Sequence, residues 1–272
     1  MENLPRLRRE EDNLLVFPQQ LLSRTMSHDL DISSICAEIA RSYSPCDVSD
    51  ALLKLHVPSA GFLRDISPIP ARNGSRVRLV APISTVLFVD NAHTPGAQYD
   101  GLIVPPESNI PHDKHFSDIA PAGSVVLMQQ PAHQIAALLG DIVATRYKVR
   151  GVRGCFIDGR SRDVVGCGEL CQDGTFQCWS KALSSPGTSL QGKPWAVDVP
   201  IKIGDVVVEA GDVLVADEAE MVCCVIPRAR LNEVVALLPV HKEADDGLLE
   251  DVKGGMGFKE AIKRWPKHYS NH

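Results

Sequence analysis

Gly140-Asp141-Ile142-Val143-Ala144-Thr145-Arg146-Tyr147-Lys148-Val149-Arg150-Gly151, continuing through Val152-Arg153-Gly154-Cys155-Phe156-Ile157-Asp158-Gly159-Arg160-Ser161-Arg162-Asp163, decides the fold. Ile135 to Leu139 is apolar, and Gly140-Asp141 breaks the run. Asp141 suits a helix N-terminus, where a carboxylate accepts from free amides and meets the positive end of the dipole. Ile142 to Arg150 has helical spacing and ends in Lys148 and Arg150, with Gly151 at the left-handed stop. Cys155-Phe156-Ile157 is a short apolar run between glycines, which predicts a strand buried on both faces. Upstream, Gly123-Ser124-Val125-Val126-Leu127-Met128 predicts another strand, so the stretch closes a strand–helix–strand unit with parallel strands.

That unit brings chemistry together. Free amides at the start of the helix form an anion site. In such a unit the helix N-terminus lies near the carboxyl ends of the strands, where Arg162 and Asp163 follow. An arginine fork holds a carboxylate through two bonds, and an aspartate beside it can hold a hard divalent cation. Together they suit a small, chelating anion such as a 2-oxo acid. The plainer alternative is a helix cap plus a surface ion pair worth about 0–1 kcal/mol.

The stretch resembles the signature of the RraA-like family, which includes the 4-hydroxy-4-methyl-2-oxoglutarate aldolases. The family pattern has a Gly-x-x-Leu-type loop followed at a fixed distance by Arg-Asp; here these are Gly140 to Val143, with Val143 for the usual Leu, and Arg162-Asp163. Tyr147 stands where small residues are common. Val48-Ser49-Asp50-Ala51-Leu52, Ala81 to Val86 and Cys178-Trp179-Ser180-Lys181-Ala182 also resemble family segments. So does Ala210-Gly211-Asp212 through Asp217, although its proline is lost and Met221 departs from a usual glycine. The likeness covers about residues 32–240 and is strongest over 122–163.

The resemblance implies an α/β fold, an αββα swivelling-type sandwich of mixed sheets with extra N- and C-terminal segments. It implies a homotrimer or a dimer of trimers with sites between subunits. It further implies a lyase of the class II aldolase or 2-oxo acid decarboxylase type. Asp163 would be the one protein ligand of Mg²⁺ or Mn²⁺. Gly140, Asp141, Ile142, Val143 and Arg162 would bind substrate, and Asp141 would position a proton-carrying water. Some family members are instead non-catalytic binding proteins, named for inhibiting the ribonuclease RNase E. In the aldolases an acidic residue from the adjacent subunit reaches the metal's water shell; Asp245 and Asp246 lie near that region, and neither is assigned.

The remaining sequence sets bounds. The 272 residues are 44% hydrophobic, with a formal net charge of −6. No basic domain points to nucleic acid, and no apolar run approaches the roughly 20 residues of a membrane helix. Residues 1–31 mix Arg6, Arg8 and Arg9 with Glu2, Glu10, Glu11 and Asp12, so they read as an extension rather than a leader, and a cytoplasmic location is the expectation. Eight cysteines include no Cys-x-x-Cys pair. They read mainly as buried thiols; Cys167 and Cys171 come nearest to a metal spacing, without a matching pair.

Along the chain, Ile32 to Tyr43 predicts an amphipathic helix, and a second starts near Asp47 with Asp47 or Ser49 as cap. Pro82 suits a strand end or edge. Residues 91–118 form a long polar loop, read as an insertion set over a site; His112 and His115 within it read as solvated. Asp158 reads as a turn aspartate. After Asp163 the chain reads as mostly β, with strands at 197–201, 206–208, 213–217 and 222–227. A helix follows over Arg228 to Leu238, and residues 241–272 form a charged, partly helical tail around Phe258, Ala261, Ile262 and Trp265.

Overall fold

The computed structural model describes residues 32–69 and 77–266. The expected extension over 1–31 lies outside the described residues. The chain divides into two units, Met1–Ser34 and Ile35–His272, and the architecture below is that of the second, apart from the first three residues of α1. Helix α1 runs over 32–42. It is followed by α2 (Pro45–Lys54), β1 (Ser67–Pro68), β2 (Arg78–Asp90), β3 (Val125–Gln129), α3 (Asp141–Val149), β4 (Gly154–Ser161), α4 (Val164–Leu170) and β5 (Gln177–Leu183). Then come β6 (Gly192–Val197), β7 (Ile201–Ile203), β8 (Val206–Val208), β9 (Val213–Asp217), β10 (Val222–Ile226), α5 (Leu231–Lys253) and α6 (Phe258–Arg264). The class is α/β, as expected.

An eight-stranded mixed sheet runs in the order β1-β5-β4-β3-β2-β9-β10, with β6 also paired to β2, and β7 and β8 form a separate hairpin. Strands β2, β3, β4 and β5 are mutually parallel, so β3–α3–β4 is the expected crossover unit. The period of two shows in the core. Val126, Met128, Cys155 and Ile157 face one apolar cluster, which includes Ala144 and Tyr147 of α3. Val125, Leu127 and Phe156 face the other, under β9 and the β7–β8 hairpin. Apolar residues on both faces are what a central parallel strand needs.

Phe156 stacks on Trp179 with ring centroids 5.5 Å apart, both fully buried. Truncating a buried aromatic removes its transfer energy and leaves a cavity, so Phe156→Ala should cost about 3–5 kcal/mol. Urea unfolding measures this, and a loss below about 1 kcal/mol would show that this cluster is not the structural centre.

Several expectations are corrected. The cap of α2 is Ser44: its hydroxyl accepts from the Asp47 amide at 3.2 Å, while Asp47 accepts from the Ser44 amide at 2.7 Å. This reciprocal box places the start before Pro45, a residue favoured in the first turn. Pro82 is interior to β2, where pairing with β9 over residues 78–82 gives way to pairing with β3 from Ile83. The predicted 197–201 strand is split into β6 and β7, with Asp198 between them at φ 51°. Helix α5 does not stop at Leu238 but runs through Pro239 to Lys253.

Residues 91–118 are not simply solvated. Trp195 Nε1 donates to the Pro105 carbonyl at 2.9 Å, and Asn109 makes two bonds to the Val197 backbone at 2.7 and 2.8 Å. His115 caps the short turn at Phe116–Asp118, and Phe116 is buried. Among the described residues no helix is long and apolar enough to cross a membrane.

Candidate functional site

Gly140 is the N-cap of α3 and Asp141 its first residue; the Gly140 carbonyl accepts from Ala144 at 3.0 Å. The Asp141 side chain therefore does not cap, and the first amides of the helix have no intrahelical acceptor. At the other end Gly151 takes φ +82° and the Val152 amide closes on Tyr147 at 3.1 Å, the left-handed stop the sequence predicts. Tyr147 is wholly buried near Phe116, and burial pushes its phenol well above the ordinary range. The large side chain is thus accommodated by the end of the 91–118 segment.

The loop before α3 is sewn to the strand ends. Leu138 donates to Arg160 at 2.8 Å and Arg162 donates to Leu139 at 2.9 Å, which brings Gly140 alongside Arg162 and Asp163. Asp163 caps α4 with a left-handed backbone, φ 54° and ψ 42°, and its side chain makes no capping bond. That conformation is uncommon outside glycine, though aspartate tolerates it. The carboxylate is instead 3.2 Å from Arg162 Nε, with both side chains about two-fifths exposed, at 41% and 42%.

Three glycines make room for these three charged groups. A Cβ on Gly140 would lie 2.6 Å from Asp163 Oδ2. One on Gly166 would lie 2.8 Å from Asp141 Oδ2, and one on Gly187 would lie 3.1 Å from Arg162 Nη1. Gly140, Asp141, Ile142, Val143, Arg162 and Asp163 all line one cleft of about 210 Å³. Every site residue expected from sequence is therefore brought together.

Sequence reasoning missed the far wall, Gly187 and Thr188. A bridge between Ala137 and Gly187 and a bond from Thr188 Oγ1 to the Ala137 carbonyl at 2.6 Å fix it. The available signal was Pro186-Gly187, a turn just beyond β5; loops at strand carboxyl ends are where ligands bind in open α/β sheets. It also missed α4, whose Gly166 supports Asp141.

Asp158 is not in a turn. It lies in β4, where register with β5 shifts, and it pairs with Lys181 at 3.1 Å. Asp245 and Asp246 sit on α5 and do not line this cleft. Cys155, Cys167, Cys171 and Cys178 share the core under α3; a bond from the Cys178 thiol lowers Cys171, while bonding to Cys167 and Cys171 raises Cys178. Among the described residues no group of three or more His, Cys, Asp or Glu is arranged to hold a metal. A cation in the cleft would thus rest on the Asp163 carboxylate, which is uncommitted to capping, and on water. That donor set fits Mg²⁺, which keeps several waters.

A family model described as RraA-like, Aldolase/RraA, matches residues 45–223. An uncharacterized protein of Pseudomonas syringae pv. tomato has a similar structure, with TM-score 0.66 and 21% identity over 86% of this chain and 94% of that one. Streptomyces coelicolor RraAS2, described as an unusual member of the RNase ES inhibitor RraA protein family, aligns with TM-score 0.61. It is 21% identical over 78% of this chain and 95% of its own. At such identities the likeness is one of fold.

Proposed function

The chain belongs to the RraA-like family, and on that premise we propose that it is a divalent-metal-dependent carbon–carbon lyase acting on a 2-oxo acid. The reaction is retro-aldol cleavage of a 4-hydroxy-2-oxo acid, decarboxylation of oxaloacetate or a related acid, or both. The observation that carries this reading is the convergence of Asp141, Arg162 and Asp163 on one cleft, each seated over a glycine.

The amides of Ile142 and Val143 and the Arg162 fork hold the substrate carboxylate. Arg162 also faces the oxygen on which charge grows as the carbon–carbon bond breaks. Both reactions leave the same pyruvate-type enolate, so one arrangement serves either. Asp141, packed on α4, holds a water that carries the proton, a role set by geometry as much as by acidity. Asp163 would hold the Mg²⁺ or Mn²⁺, which when bound would supply Lewis-acid stabilisation of that charge.

The same reading carries with it a homotrimer, or a pair of trimers, in which a neighbouring chain closes the site; Ile142, in the wall of the cleft, is 79% exposed and would be covered there.

A second reading, a non-catalytic regulatory protein, draws on the likeness to Streptomyces coelicolor RraAS2, a member of the RNase ES inhibitor RraA protein family. That role requires none of the three charged groups. Pyruvate release from oxaloacetate by the purified oligomer, with Mg²⁺, with Mn²⁺ and with chelator, separates the two. Metal-dependent release supports the lyase, whereas no release by a folded oligomer from oxaloacetate or 4-hydroxy-4-methyl-2-oxoglutarate supports the regulator.

A further inference from the structure

A larger cavity, about 420 Å³, shares no lining residue with the cleft above. We propose that it is a second binding site, for a small polyanion bearing phosphate or several carboxylates. Its wall includes Arg64, Arg160, Lys181 and Lys202 against only Asp100 and Asp158. In a chain of net charge −6 this concentration of cations is not an average surface. Asp158 is already paired with Lys181. Among the described residues Arg64, Arg160 and Lys202 have no ion-pair partner, and they face the same space. Cations gathered in a cleft with low-dielectric walls focus the field on an anion.

The pocket is built rather than incidental. Gln129 and Gln130 are 2% and 4% exposed and form its floor. Gln129 Nε2 donates to Asp158 Oδ2 at 2.9 Å and to the Lys202 carbonyl, while its Oε1 accepts from the Lys202 amide at 3.2 Å. Gln130 Oε1 accepts from the Arg160 amide at 3.1 Å, and its Nε2 donates to Ala136 at 3.2 Å. Buried glutamines therefore pin the backbone beneath two of the unpaired cations. Arg160 is further held by its Nη1 donating to the Leu183 carbonyl at 2.9 Å. Gly159 has no room for a side chain, since a Cβ would lie 2.3 Å from Gln130 Oε1. Arg64 lies across the turn of the β7–β8 hairpin, where Gly204 takes φ +61° and a Cβ would be 3.1 Å from Arg64 Nε.

The outer wall is Asp100 to Leu102. These three residues of the 91–118 segment line this cavity, and none of that segment lines the cleft around Arg162. Beside it, Tyr99 meets His93 Nδ1 at 3.0 Å. The volume is within the usual range for small-molecule sites.

Titration calorimetry of the intact protein tests the proposal, with orthophosphate, pyrophosphate and citrate as probes in low-salt buffer containing chelator. At least one probe should bind with one equivalent per chain. Lys202→Gln and Arg64→Gln should each weaken it about tenfold, or about 1.4 kcal/mol, without changing the circular dichroism spectrum. Arg162→Ala should leave that affinity unchanged. The phosphate and citrate arms decide which oxyanion the site prefers. The proposal is overturned if none of the three binds at millimolar concentration, or if both glutamine variants bind like the parent. Loss of binding in Arg162→Ala would equally overturn it, by placing the anion in the catalytic cleft.

Discussion

Asp163→Ala is expected to reduce metal-dependent pyruvate release from oxaloacetate by more than about 100-fold, with the fold retained. Partners of metal ligands in the outer shell already contribute roughly 10–100-fold, and Asp163 is the one carboxylate proposed to touch the ion. The structural cost of the change is small. The pair with Arg162 is well exposed, so it contributes about 0–1 kcal/mol. The left-handed backbone at φ 54° costs alanine about 1–2 kcal/mol, against a usual total stability of about 5–15 kcal/mol. Asp163→Asn removes the charge while keeping a residue that tolerates this backbone, so it isolates ligation from strain. Initial rates and Mn²⁺ binding by magnetic resonance should fall together in both variants. Metal-stimulated turnover within tenfold of the parent would remove Asp163 from the site.

What the sequence made legible was local. Asp141 to Gly151 carries its own start, period and stop, and Cys155 to Ile157 reads as a buried strand between glycines. The crossover rule then delivers Arg162 and Asp163 to the helix N-terminus without knowledge of the rest of the sheet. What stayed hidden depended on distant partners. Gly187 and Thr188 reach the cleft through pairing with Ala137, and nothing in their own neighbourhood announces it.

That Asp100 to Leu102 line the larger cavity was hidden for the same reason, because they share it with residues distant in sequence, among them Gln129, Asp158 and Lys202. A loop reading also underrates its anchors at Asn109 and Phe116. The capping error at α2 is of another kind. Ser44, Asp47 and Ser49 are all good caps, and only the reciprocal Ser44–Asp47 bonds decide among them. Pro239 suggests a helix end, yet α5 continues through it with Leu238, His241, Ala244 and Leu248 buried. Burial of that stripe outweighs the lost backbone bond.

Arg162→Ala separates the catalytic reading from the surface ion pair that the same two residues would otherwise be. If Arg162 served only Asp163, its removal would change stability by at most about 1 kcal/mol and turnover little. If it holds the substrate carboxylate and faces the developing charge, two kinetic effects follow. Losing the carboxylate contact raises KM, because that contact exists in ground and transition states alike. Losing a donor to the growing charge lowers kcat, by about 10²–10³-fold for a single such donor elsewhere. Arg162→Lys should fall between parent and alanine variant. It restores a positive charge, but not the planar fork for which Gly187 leaves room 3.1 Å from Nη1. Steady-state kinetics on oxaloacetate, with thermal unfolding of each variant, give the ordering. A melting temperature near that of the parent together with near-parental kcat and KM would return Arg162 to the surface. A collapse of the fold would make it structural instead, an outcome at odds with a side chain that is two-fifths exposed.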